Sequence, residues 1–110
     1  MRMPKEVTLV KKSLDEHKAE DITVVDVREK TPFTDYLVIA SGTNSRMLGA
    51  LASYVEDDLL KNKVEVRKTE GIPESGWIIV DAGNVVVHLF SPEKRSEIDL
   101  EGLLAGKKPE

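Results

Sequence analysis

Apolar residues recur along this chain with two periods, one helical and one of strands. In residues 4–18, Val7, Val10 and Leu14 keep a three-to-four spacing with charged residues between them, and Pro4 suits a first helical turn. The stripe is narrow, so this helix is expected to pack at the edge of the domain. Ile22 to Val27 is β-branched and mostly apolar and reads as a strand; the connection that follows contains Pro32. Tyr36-Leu37-Val38-Ile39-Ala40 is apolar without alternation, the pattern of a central strand covered on both faces. Ser41-Gly42-Thr43-Asn44 ends it, and Thr43 or Asn44 can cap a helix from about Ser45 to Asn62. That helix carries the stripe Leu48, Leu51, Ala52, Val55 and Leu59. Val64-Glu65-Val66-Arg67-Lys68 alternates and is expected to be a third strand with one wet face. A strand–helix–strand unit of this length implies a right-handed parallel crossover.

The clearest pattern lies between Trp77 and Phe90. Two β-branched runs flank Gly83-Asn84, a strong hairpin signal that sets the register. Ala82 should face Val85, Asp81 Val86, Val80 Val87, Ile79 His88, Ile78 Leu89 and Trp77 Phe90. Side chains alternate across a strand. One face is then Ile78, Val80, Ala82, Val85, Val87 and Leu89, all apolar, and is expected to be core. The other is Trp77, Ile79, Asp81, Val86, His88 and Phe90, apolar but bearing aromatic rings, a carboxylate and an imidazole. It reads as a contact surface.

Ser91-Pro92-Glu93 starts a short helical turn, and Ile98, Leu100, Leu103 and Leu104 suggest one more small amphipathic element. The order α-β-β-α-β-β-β-α gives an α+β domain, a mixed five-stranded sheet with packed helices. It is expected to be one domain over residues 1–105, with 106–110 a flexible tail.

Composition narrows the function. At 110 residues, 40% hydrophobic and 33% charged, the chain suits a single globular core. No apolar run approaches a membrane span, and the first residues lack an apolar signal core. The absence of cysteine removes disulfides and thiolate metal sites and fits a reducing cytoplasm. A net charge of −4 disfavours non-specific nucleic-acid binding but suits a basic protein partner.

Candidate chemistry is sparse. The two histidines, His17 and His88, have no HExxH-like ligand spacing, so no metal is expected. The Ser41-Gly42-Thr43-Asn44 loop could cradle a phosphate at a helix start, but it lacks the glycine spacing and lysine of a Walker A loop. A polar loop that caps a helix is the commoner meaning. Asp26 and Asp81 have no close second carboxylate for two-metal catalysis. A Ser41/His88/Asp81 triad lacks a GxSxG elbow. Lys61, Lys63, Arg67 and Lys68 form the basic cluster. No catalytic residue, cofactor or metal site is assigned.

Three blocks resemble the ribosomal silencing factors, the Iojap family. They are Ala19-Glu20-Asp21-Ile22; Thr34-Asp35-Tyr36-Leu37-Val38-Ile39-Ala40-Ser41-Gly42-Thr43; and Gly76-Trp77-Ile78-Ile79-Val80-Asp81 with Gly83 and Val85-Val86-Val87-His88-Leu89-Phe90. Asn84 stands where that family often has Asp, and Met47 where Gln is common. The resemblance implies a fold related to nucleotidyltransferases without catalysis. It also implies binding to the large ribosomal subunit through its protein number fourteen, blocking the small subunit and lowering translation when nutrients are short. Carried onto this chain, the partner-facing residues would be Trp77, Asp81, Val86, His88 and Phe90, with Glu70 and Arg67 at the rim. A nucleotide-binding or nucleotidyltransferase-like enzyme using the Ser41–Thr43 loop is the alternative, and a module that forms a homodimer through the hairpin face when free is a third reading.

Overall fold

The computed structural model describes residues 4–100 and 102. Its elements are α1 (Lys5–Glu16), β1 (Glu20–Asp26), β2 (Tyr36–Ser41), α2 (Ser45–Lys61), β3 (Lys68–Glu70), β4 (Trp77–Asp81), β5 (Val85–Phe90) and α3 (Pro92–Ile98), with a 3₁₀ turn at Pro73–Ser75. The strands form a five-stranded sheet in the order β1-β2-β5-β4-β3. β2 and β5 run parallel and the other neighbours antiparallel. This is the α+β architecture read from the sequence.

The β4–β5 register is the one expected, with Trp77 opposite Phe90, Ile79 opposite His88 and Asp81 opposite Val86. Gly83 supplies the turn with φ +85°, and Asp81 Oδ1 accepts the Gly83 N–H at 2.9 Å, an Asx-type closure. β2 is buried along its whole length, as a central strand should be.

α1 and α2 cover one sheet face. Leu48, Leu51, Ala52, Val55 and Leu59 of α2 meet Val38, Ala40, Ile78, Val80, Val85, Val87 and Leu89 in the core. Asn44 caps α2, its Oδ1 accepting the Met47 N–H at 2.8 Å. α1 is not peripheral. Val7, Val10 and Leu14 are fully buried in the same core, because α1 lies beside α2 over β1 and β2. A narrow stripe suffices where one helix flank is covered by another helix.

The third strand begins later than its alternation suggests. Val64 and Val66 pack against the core as an extended segment, whereas ladder pairing starts at Lys68. β3 therefore runs parallel to β2 but lies at the far edge of the sheet, beyond β5 and β4. The crossover through α2 spans the sheet rather than joining neighbours. The short helical turn expected from Ser91-Pro92-Glu93 is α3, which ends at Ile98 before a left-handed Asp99; most of the further amphipathic element expected around residues 98–104, with the 106–110 tail, lies outside the described residues.

Candidate functional site

The sheet face away from α1 and α2 is crossed by three rows of side chains, which follow from the strand registers. One row is Val25, Leu37, Val86, Asp81 and Lys68; the next is Thr23, Ile39, His88, Ile79 and Glu70; the last is Ser41, Phe90 and Trp77. α3 covers the end of this face. Arg95 donates from Nη1 to Ser41 Oγ at 3.0 Å and from Nη2 to Thr23 Oγ1 at 3.1 Å, bridging β2 and β1. The Ser91 N–H donates to the Gly76 carbonyl at 2.9 Å, which turns the chain back over the sheet.

Beyond α3 the face stays open. Trp77, Ile79, Asp81, Val86 and His88 are all half-buried. Trp77, His88 and Phe90 form a ring cluster, with centroids 5.2 Å apart for Trp77–Phe90, 6.0 Å for Trp77–His88 and 6.1 Å for His88–Phe90. Trp77 Nε1 donates to His88 Nδ1 at 3.1 Å. Burial lowers the His88 pKa to about 4, so the ring is neutral near pH 7. Beside the indole lies a depression of about 350 Å³ lined by Glu70, Gly71, Ser75, Trp77, Ile79 and Lys94.

Four of the seven residues singled out from the sequence thus share one open surface: Trp77, Asp81, Val86 and His88. Glu70 joins them at the rim through its pairing with Ile79. Phe90 does not present a free side chain. It is 1% exposed, since Trp77 and His88 pack on it and α3 starts two residues later and folds over this corner. Arg67 sits just before β3, on the side of the alternation that also sends the Thr69 hydroxyl to Glu56 of α2. Lys68 takes the open-face position instead, opposite Asp81 and ion-paired to Glu70 at 3.2 Å. Lys94 was not foreseen, because only the fold-back of α3 brings it to the indole.

The Ser41–Thr43 loop is engaged by the fold. Ser41 Oγ accepts from Arg95, the Gly42 N–H donates to the Phe90 carbonyl at 3.0 Å, and Thr43 Oγ1 lies 3.5 Å from Met47 Sδ. Asp26 is held by Arg28, whose Nε and Nη2 donate to its two oxygens at 3.0 and 2.7 Å and pull its pKa down to about 2. Among the described residues no group of three or more His, Asp or Glu could hold a metal ion, and no helix is long and apolar enough to cross a membrane.

The whole chain, residues 1–110, matches the family described as ribosomal silencing factor during starvation. The chain belongs to that family. It is 41% identical over 93 residues to the ribosomal silencing factor RsfS of Zymomonas mobilis, covering 84% of this chain and 70% of that protein. It is 38% identical over 93 residues to the mouse mitochondrial assembly of ribosomal large subunit protein 1, covering 82% of this chain and 41% of that one. A crystal structure of a Chromobacterium violaceum protein superposes with a TM-score of 0.90 at 34% identity, covering 100% of this chain and 92% of that one. As a ribosomal silencing factor family member, the chain falls among proteins named as regulators.

Proposed function

We propose that this protein binds the large ribosomal subunit through its protein number fourteen, with the open face of the sheet, and thereby keeps the small subunit from joining. The observation that carries the reading is the half-buried set Trp77, Ile79, Val86 and His88 on one open face, a compact apolar centre beside a depression that Trp77 and Ile79 line together with polar rim residues. The family name and the mouse relative's name, which refers to assembly of the ribosomal large subunit, support a ribosomal partner. The net charge of −4 suits a basic ribosomal protein. Trp77 anchors by its ring. Asp81 uses one oxygen on its own hairpin turn and offers the other to a basic group.

The mechanism is steric. The bound domain occupies the docking surface of the small subunit, lowers translation when nutrients are short, and needs no bond-making step. It acts in the cytoplasm. In the absence of the subunit the same face pairs with a second copy of the chain.

The test is co-sedimentation with isolated large subunits. Trp77→Ala should weaken binding at least about tenfold, as truncation of a central aromatic typically does. Val86→Arg, which alters the same face from a neighbouring row, should do the same while leaving the fold intact by circular dichroism. Wild-type co-sedimentation by both folded variants would falsify this assignment of the face.

A further inference from the structure

At the centre of the open face, His88 is committed to one chemical role by its neighbour. An indole N–H can only donate, so the 3.1 Å contact makes His88 Nδ1 the acceptor. A neutral imidazole that accepts at Nδ1 carries its proton on Nε2. The depressed pKa agrees, because a protonated ring would turn Nδ1 into a donor facing another donor.

Nε2 is the free end of this pair. His88 is half-buried on the open face, and the hydrogen bond it makes on the protein runs through Nδ1, which leaves Nε2 for a partner. Its row neighbours are Ile39 and Ile79, and Val86 precedes it on the same face. Trp77 has already used its own N–H. The apolar centre therefore presents one directional donor, and a partner that covered it without an acceptor would bury it unpaired.

We infer that His88 Nε2–H is a specificity-determining donor, and that the partner's docking segment places a carbonyl oxygen opposite it within an apolar surround. The inference rests on the proposed ribosome-facing role of this face. A carbonyl fits better than a carboxylate. Ile39 and Ile79 flank His88 in its row and Glu70, at the end of that row, already holds Lys68 at 3.2 Å, so an incoming carboxylate would lose water with no cation opposite His88 to replace it and with Asp81 in the adjoining row to repel it.

Two measurements test it. Nitrogen-15 NMR of the free protein should show a neutral His88 with its proton on Nε2 at pH 7, and Trp77→Phe, which keeps a ring but removes the N–H, should release the tautomer preference. A proton on Nδ1 in the wild type overturns the inference without any ribosome. Co-sedimentation with isolated large subunits supplies the second arm. His88→Gln, whose amide nitrogen can overlay Nε2, should bind within about threefold of wild type, and His88→Met, of similar volume without a donor, should lose about tenfold or more. Met binding like wild type, or Gln binding as weakly as Met, overturns the donor role. If Trp77→Ala still fails to bind in that case, the face reading stands alone. If Trp77→Ala and Val86→Arg also bind like wild type, the face reading is what failed.

Discussion

Nε1 of Trp77 and Nδ1 of His88 lie 3.1 Å apart across the β4–β5 pair, joining two outward rings of the hairpin. The burial of the His88 ring makes the protein's stability sensitive to acid. The folded pKa of His88 is about 4 against an ordinary 6.5, so the unfolded chain binds the proton more readily. The stabilisation is therefore present above pH 6.5 and is lost as pH falls from there toward 4. It amounts to about 3 kcal/mol for a shift of this size. Urea unfolding at steps between pH 4 and 7 should show the loss, and His88→Gln should flatten it. Parallel profiles for the two proteins would mean that other groups set the acid sensitivity.

Gly71 and Gly83 both have positive φ, +94° and +85°, but their surroundings differ. A Cβ at Gly71 would stand 2.2 Å from the Trp77 carbonyl oxygen, whereas at Gly83 the nearest contact is Arg67 Cδ at 3.7 Å. Gly83→Ala should cost about 1–2 kcal/mol, the conformational penalty alone. Gly71→Ala adds a backbone collision and should cost more, about 2–4 kcal/mol, while disturbing the depression beside Trp77. Thermal unfolding of the two variants side by side measures the difference.

The β4–β5 hairpin was legible because its information is local: a two-residue turn and a period of two fix which side chain faces which way. The α2 stripe was legible for the same reason. Long-range placement was not. Nothing local in β5 says that it lies beside β2, or that β3 lies at the far edge. β3 itself has three exposed residues and no apolar signal, so alternation at Val64 and Val66 drew the strand too early. The burial of Phe90 and the arrival of Lys94 share one cause, the return of α3 over the sheet. Its tie is the Ser91–Gly76 backbone bond, which side-chain patterning does not reveal.

Asn44 rather than Thr43 closes the start of α2. Its Oδ1 takes the Met47 N–H at 2.8 Å, while the Thr43 hydroxyl faces Met47 Sδ at 3.5 Å. Asn44→Ala should cost about 1 kcal/mol, and Thr43→Ala only a few tenths. Equal losses in urea titrations would show that the cap is shared. Because α2 carries five core residues on its buried stripe, the loss from Asn44→Ala should appear as lower global stability with an unchanged m-value.

Arg95 is what keeps a seven-residue helix in place. A helix as short as α3 is marginal alone, and its stability comes from docking. The Ser91 side chain caps it by accepting the Lys94 N–H at 3.2 Å, and beyond the Ser91–Gly76 backbone bond at its start, Arg95 ties its far end to Ser41 and Thr23. Removing the guanidinium leaves both hydroxyls without that partner in a part-buried site, so Arg95→Met should destabilise by about 2–3 kcal/mol. Ser41→Ala removes one acceptor and should cost less, about 1 kcal/mol. The variants also differ in what they expose. With α3 released, the Phe90 corner opens next to Trp77, and Arg95→Met should bind a hydrophobic dye such as ANS while keeping its far-ultraviolet circular dichroism. Hydrogen exchange should localise the change to residues 92–98 and the end of β5. A Met variant with unchanged exchange there would show that the sheet face holds α3 by apolar packing instead.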